Sequence, residues 1–138
     1  MLAENSLDFS FSGVKTAVLY HVHGPGRTTG GLEKLSPKQL ADVAASFQEA
    51  VIDVLVRKTL LAAKQTGVGT VVMGGGVAAN KTLRSALETA CTRRGLAFHA
   101  APMPYCTDNA AMIAGLAYHQ FLKGDLAGLD LDAHPSAA

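Results

Sequence analysis

The sequence contains no tryptophan, and aromatic residues make up only 6% of its 138 positions. Packing therefore has to come from tightly apposed helices and backbone-lined turns, for which alanine and glycine are abundant. Cysteine is almost absent. Cys91 and Cys106 fall in no CxxC or other metal spacing, and a disulfide between them is not expected in a cytosolic chain. Both read as small apolar packing residues. Excess charge is missing too: 12 basic against 11 acidic side chains give a net charge of +1. That balance excludes a broad electrostatic footprint for nucleic acid, so an RNA partner has to be bound locally or with help. Long hydrophobic runs are lacking as well. Mean hydropathy is +0.21, but the longest apolar stretch is interrupted by Arg57 and Lys58, short of the ~18 residues of a membrane span. Residues Met1 to Asp8 show neither the basic nor the apolar region of a secretory signal. The expectation is a cytoplasmic protein with no membrane partner.

At this length the chain is one compact domain or one half of a larger two-lobed fold. Leu7-Asp-Phe-Ser-Phe-Ser-Gly13 alternates apolar and polar residues, which predicts a short half-buried strand, with a short helix from Val14 to about His21. His23 to Gly31 collects Gly, Pro and Thr and reads as a mobile surface loop. Ser36-Pro-Lys-Gln39 combines a hydroxyl cap, a first-turn proline and a capping-box amide. The helix it opens carries a wide apolar stripe through Leu40, Val43, Phe47, Val51 and Val54 to Leu61, which predicts extensive burial, and Gly67 supplies its C-terminal turn.

Thr70-Val-Val-Met73 reads as a buried strand of a parallel sheet. A second helix follows Asn80 with the stripe Leu83, Ala86, Leu87, Ala90 and Cys91, and ends near Arg93, Arg94 and Gly95. Leu96 to Ala101 reads as another strand. Pro102 and Pro104 break the backbone before a third long helix that opens at Thr107-Asp108 and runs to Gly124. Residues 125–138 read as a frayed tail. The order is strand, helix, helix, strand, helix, strand, helix, an α/β pattern over residues 1–138 as a single partial domain.

Two segments could carry chemistry. In Val71-Val-Met-Gly-Gly-Gly-Val-Ala-Ala-Asn80 a strand runs into glycines and then a helix, so a ligand can lie against bare backbone and the helix start favours anionic or polar groups. The plainer reading is a tight turn with Asn80 as a helix cap. The run is neither a dinucleotide fingerprint nor a phosphate loop. Asp108 also sits between a strand and a helix, either as a cap or as one ligand of a metal whose other ligands lie elsewhere. His21, His23, His99, His119 and His134 have no carboxylate in register, and no serine stands in a nucleophile elbow.

Read together, Asp8-Phe-Ser-Phe-Ser-Gly-Val-Lys-Thr16, Gly74-Gly-Gly-Val-Ala-Ala-Asn-Lys-Thr-Leu-Arg84 and Cys106-Thr-Asp-Asn-Ala-Ala-Met-Ile-Ala114 resemble the tRNA threonylcarbamoyladenosine transferase (TsaD-like) family, once labelled glycoprotease. The similarity runs from about Leu7 to Gly124. It implies the later part of the second lobe of an actin, sugar-kinase and Hsp70-like fold. It also implies transfer of a threonylcarbamoyl group from its adenylate to N6 of the adenosine beside the anticodon. By resemblance, Asn80 contacts the adenylate, Gly74, Gly75 and Gly76 floor the adenosine, and Asp108 ligates one divalent metal, iron or zinc. The family's His-x-x-x-His ligands belong to an N-terminal lobe that this sequence does not contain, so the chain alone is expected to be inactive. Implied partners are that lobe or a full-length relative, tRNA, and accessory proteins of threonylcarbamoylation. The alternative is a non-catalytic homologue that binds nucleotide or dimerises. A peptidase reading finds no complete zinc motif.

Overall fold

The computed structural model describes residues 6–132. Four helices and two strands follow one another as α1 (Phe11–His23), α2 (Pro37–Thr66), β1 (Thr70–Met73), α3 (Lys81–Thr92), β2 (Ala97–Ala100) and α4 (Ala110–Leu122). Short 3-10 turns occupy Leu32–Lys34, Gly76–Ala79 and Met103–Tyr105. The strands pair in parallel, Thr70 opposite Ala97 and Met73 opposite Ala100, with α3 as the crossover. The α/β class expected from the sequence is therefore present.

Local chemistry explains where most of these elements begin and end. Ser36 caps α2 by accepting the Gln39 backbone amide on its Oγ, and Gln39 Oε1 in turn accepts the Ser36 backbone amide. Gly67 closes the same helix at φ +69°, a left-handed conformation that suits glycine. Gly31 is placed by contact rather than by conformation. Its amide bonds to His23 Nδ1 at 3.1 Å, and a Cβ there would sit 1.8 Å from the Val22 carbonyl oxygen. The 23–31 loop is thereby pinned to the end of α1.

Three expectations need correction. The strand expected over Leu7–Gly13 does not form: residues 6–10 are irregular and Phe11 already opens α1. Their alternating pattern meets no neighbouring strand. Instead the Lys58 ammonium, 3% exposed on α2, takes the carbonyls of Ser6 (2.7 Å) and Asp8 and lies 5.5 Å from the centre of the Phe9 ring. The last helix starts at Ala110 rather than at Thr107-Asp108, because Asn109 takes the capping position and accepts the Met112 amide at 3.0 Å. Helix α2 is not extensively buried: only Val54, Lys58 and Ala63 are closed to solvent, while Leu40 and Phe47 are exposed. A second layer over its outer face is lacking among the described residues. Residues 125–132 form no helix or strand, and the rest of the expected tail, 133–138, lies outside the described residues.

The core lies where α2 and α3 meet one face of the sheet. Ala63, Val71 and Cys91 form its centre, with Leu60, Leu96 and Phe98 against them. Cys91 is fully buried and Cys106 nearly so, both as free thiols, which fits the packing role read from the sequence. Val71, Met73, Phe98 and Ala100 face this core; Thr70, Val72, Ala97 and His99 face outward, and Val72 is 76% exposed. Parallel sheets are normally covered on both faces. No helix among the described residues is long and apolar enough to cross a membrane.

Burial pushes the Cys91 thiol above its ordinary pKa. The folded chain keeps this proton after the unfolded chain has released it, so the thiol leaves stability unchanged below the ordinary thiol range. Stability then falls as pH rises through that range, by at most about 1.4 kcal/mol per pH unit for one proton. Denaturant titrations between neutral and alkaline pH should show this slope, and Cys91→Ala should remove its share. A variant with the wild-type slope would show that the thiol does not contribute.

Candidate nucleotide-binding site

The parallel strands deliver two turns to the same edge of the sheet, the end where ligands of α/β folds commonly bind. From β1 the chain passes through Gly74, Gly75 and Gly76, all exposed. Gly75 has φ +86°, which a Cβ would strain, and a Cβ on any of the three would meet nothing within 4 Å. The glycines therefore leave an open strip of backbone. They feed the Gly76–Ala79 turn, and α3 starts only after it, so the glycine run and the helix N-terminus are separate features.

Asn80 caps α3. Its Oδ1 accepts the Leu83 amide at 2.9 Å, and its Nδ2 donates to Gln48 Oε1, also at 2.9 Å. The cap reading is thus fulfilled, and it fixes which end of the amide faces outward: Asn80 has a donor to offer, held by Gln48 across from α2. Both side chains stand at the edge of a largely apolar cavity of about 580 Å³, walled by Phe11, Phe47, Val51, Ile52, Leu55, Val77 and Leu83. That volume lies within the range of small-ligand sites.

From β2 the chain passes through Pro102 and the Met103–Tyr105 turn to Cys106, then to Asp108. The Asp108 carboxylate is exposed and makes no hydrogen bond or ion pair among the described residues. It is not the helix cap that one sequence reading allowed. The described residues contain no group of three or more His, Cys, Asp or Glu able to hold a metal.

These two turns hold two of the three segments that carry the resemblance, and comparison with known proteins agrees. The family model described as tRNA N6-adenosine threonylcarbamoyltransferase matches residues 2–115. The chain belongs to this family. A relative of that name from Desulfitobacterium hafniense (strain Y51) is 52% identical over 135 residues, 98% of this chain and 38% of the relative. Those from Sorangium cellulosum (strain So ce56) and Moorella thermoacetica (strain ATCC 39073 / JCM 9320) are 47% and 48% identical, over 95% and 97% of this chain and 35% and 37% of their own lengths. The chain thus spans between about a third and two fifths of the threonylcarbamoyltransferases it matches. The matched range takes in both turns and stops within α4.

Three contacts escaped the sequence reading, two at this site, through Gln48 and Arg84, and one outside it, through Lys58. Gln48 holds Asn80, yet nothing in its local pattern sets it apart on a long helix. Lys58 carried a signal, since it falls on the apolar stripe of α2 one turn from Val54 and Leu61, where a charged residue has to find a partner. Arg84 lies inside the glycine motif, and only the structure shows what its side chain holds.

Proposed function

We propose that this chain supplies the adenylate-binding turn and one metal ligand of threonylcarbamoyl transfer to N6 of the adenosine beside the tRNA anticodon. It does so as the later part of the second lobe of an actin and sugar-kinase-like fold, and is inactive without the remaining length that its relatives carry. The observation that carries this is the open backbone strip at Gly74–Gly76 beside the outward-facing Asn80 amide, in a chain of this family. Glycine admits the flat face of a nucleoside against the backbone. Asn80 Nδ2 then exchanges Gln48 for an acceptor on the adenylate, its carbonyl end staying on Leu83.

The metal reading fits only in part. Asp108 is a free, exposed carboxylate, the donor type that hard and borderline cations accept, but it stands alone, and a divalent ion requires about three or four protein ligands. The rest of the set has to come from outside the described residues. Such an ion, iron or zinc, would polarise the threonylcarbamoyl donor. With a net charge of +1, this chain contributes little to holding tRNA, which falls to the absent lobe and to accessory proteins.

Asn80→Asp separates ligand contact from capping. Aspartate caps as well as asparagine, so the melting temperature of a chain extended to the relatives' length should hold. Loss of the donor should weaken adenylate binding by about 1–3 kcal/mol. Asn80→Ala should lose both binding and about 1 kcal/mol of stability. Wild-type affinity in Asn80→Asp, measured by calorimetric titration, would reduce Asn80 to a cap.

A further inference from the structure

We propose that Arg84 is a positioning residue of the transfer site: it clasps the nucleotide-binding turn to the segment that bears Asp108. The inference rests on the functional reading above and adds a residue to it. Arg84 lies in the first turn of α3, its amide bonded to the Asn80 carbonyl at 3.1 Å. Its guanidinium reaches three points. Nε donates to the Ala78 carbonyl at 2.5 Å, and Nη2 donates to the Ala101 carbonyl at 2.5 Å and to Cys106 Sγ at 2.9 Å. Ala78 is two residues before Asn80, and Cys106 is two residues before Asp108.

These contacts matter because the backbone does not join the two turns. The sheet ladder ends where the Ala101 amide meets the Met73 carbonyl at 2.9 Å. Beyond that point, no backbone hydrogen bond links residues 74–80 to residues 102–109 among the described residues. The separation of Asn80 from Asp108 is set instead by a planar group with donors in fixed directions. Cys106 reinforces it: the thiol, 2% exposed, lies 3.6 Å from the Ala101 carbonyl and 3.5 Å from that of Pro102, so thiol and guanidinium converge on one carbonyl. Lysine in place of Arg84 carries a single ammonium on a flexible stem and cannot span all three acceptors in that plane.

The test is Arg84→Lys in a chain of the relatives' full length, alongside the wild type, with AMP as the binding probe. Expected are a melting temperature close to wild type and faster amide exchange in residues 76–80 and 102–108 together. In the same variant kcat should fall by about a hundredfold, the scale of an ångström-sized misplacement, with the KM for tRNA unchanged. A wild-type kcat, or a kcat that falls only in step with melting, overturns the proposal. If Arg84→Lys unfolds, Arg84→Gln, which keeps a planar donor group but not the reach or the fork of the guanidinium, carries the test. A reduced kcat at the wild-type melting temperature then supports the clasp, and an unchanged one overturns it. Failure of the wild type itself to bind AMP and transfer would sink the functional reading and this inference with it, a result distinct from failure of the variant alone.

Discussion

Asp108→Asn, placed in a chain of the relatives' full length, is expected to lose its divalent ion and its transfer activity while melting at the wild-type temperature. The structure makes this a clean substitution. Asn109, not Asp108, accepts the Met112 amide at the start of α4, and the Asp108 carboxylate has no partner to lose among the described residues. What goes is the negative charge that the cation requires. Loss of a direct ligand should exceed the about 10- to 100-fold penalty of disturbing an outer-shell group. Elemental analysis of the purified variant decides the matter. Full metal occupancy would remove Asp108 from the ligand set, and with it the metal part of the proposed mechanism. The 138-residue chain alone should purify without stoichiometric metal, as one carboxylate is too few.

The second large effect concerns association. Val72 stands on a sheet face covered by nothing among the described residues, and Met112, Ile113, Leu116, Phe121 and Leu122 of α4 are each more than half exposed. Fully covering a large aliphatic or aromatic side chain stabilises by about 1.5–3 kcal/mol, so covering these six is worth on the order of 10 kcal/mol. That is as much as the whole stability of an ordinary domain. The isolated chain is therefore expected to self-associate at micromolar concentration, to bind a hydrophobic dye, and to melt broadly. Addition of the remaining length should suppress all three. A dilute, monodisperse species in sedimentation velocity with a sharp thermal transition would show that these faces need no cover.

The signals legible in the sequence were those set by neighbours along the chain. Ser36, Gln39 and Gly67 bound α2 as their chemistry requires, and Asn80 caps α3, because caps depend on residues within one turn. The Thr70–Met73 strand was legible from its β-branched run. What misled was periodicity judged without a partner. Leu7, Phe9 and Phe11 alternate as a strand would, yet alternation only describes which side chains share a face, and Lys58, fifty positions away, took the carbonyls instead. The stripe on α2 likewise announced a buried helix, where the structure covers only part of it. At the candidate site, Gly74–Gly76, Asn80 and Asp108 stand out in the sequence as segments that could carry chemistry. The clasp that joins them does not, since Arg84 meets acceptors up to 22 positions away and no spacing rule encodes that.

The grip of Lys58 on residues 6–9 also fixes a point of origin. The Ser6 carbonyl is anchored to the body of a thirty-residue helix, so the described chain starts from one held point. Linker length for a fusion at that end is then a problem of measured reach, about 3.3–3.6 Å for each extended residue, with its origin beside Lys58 in the C-terminal third of α2.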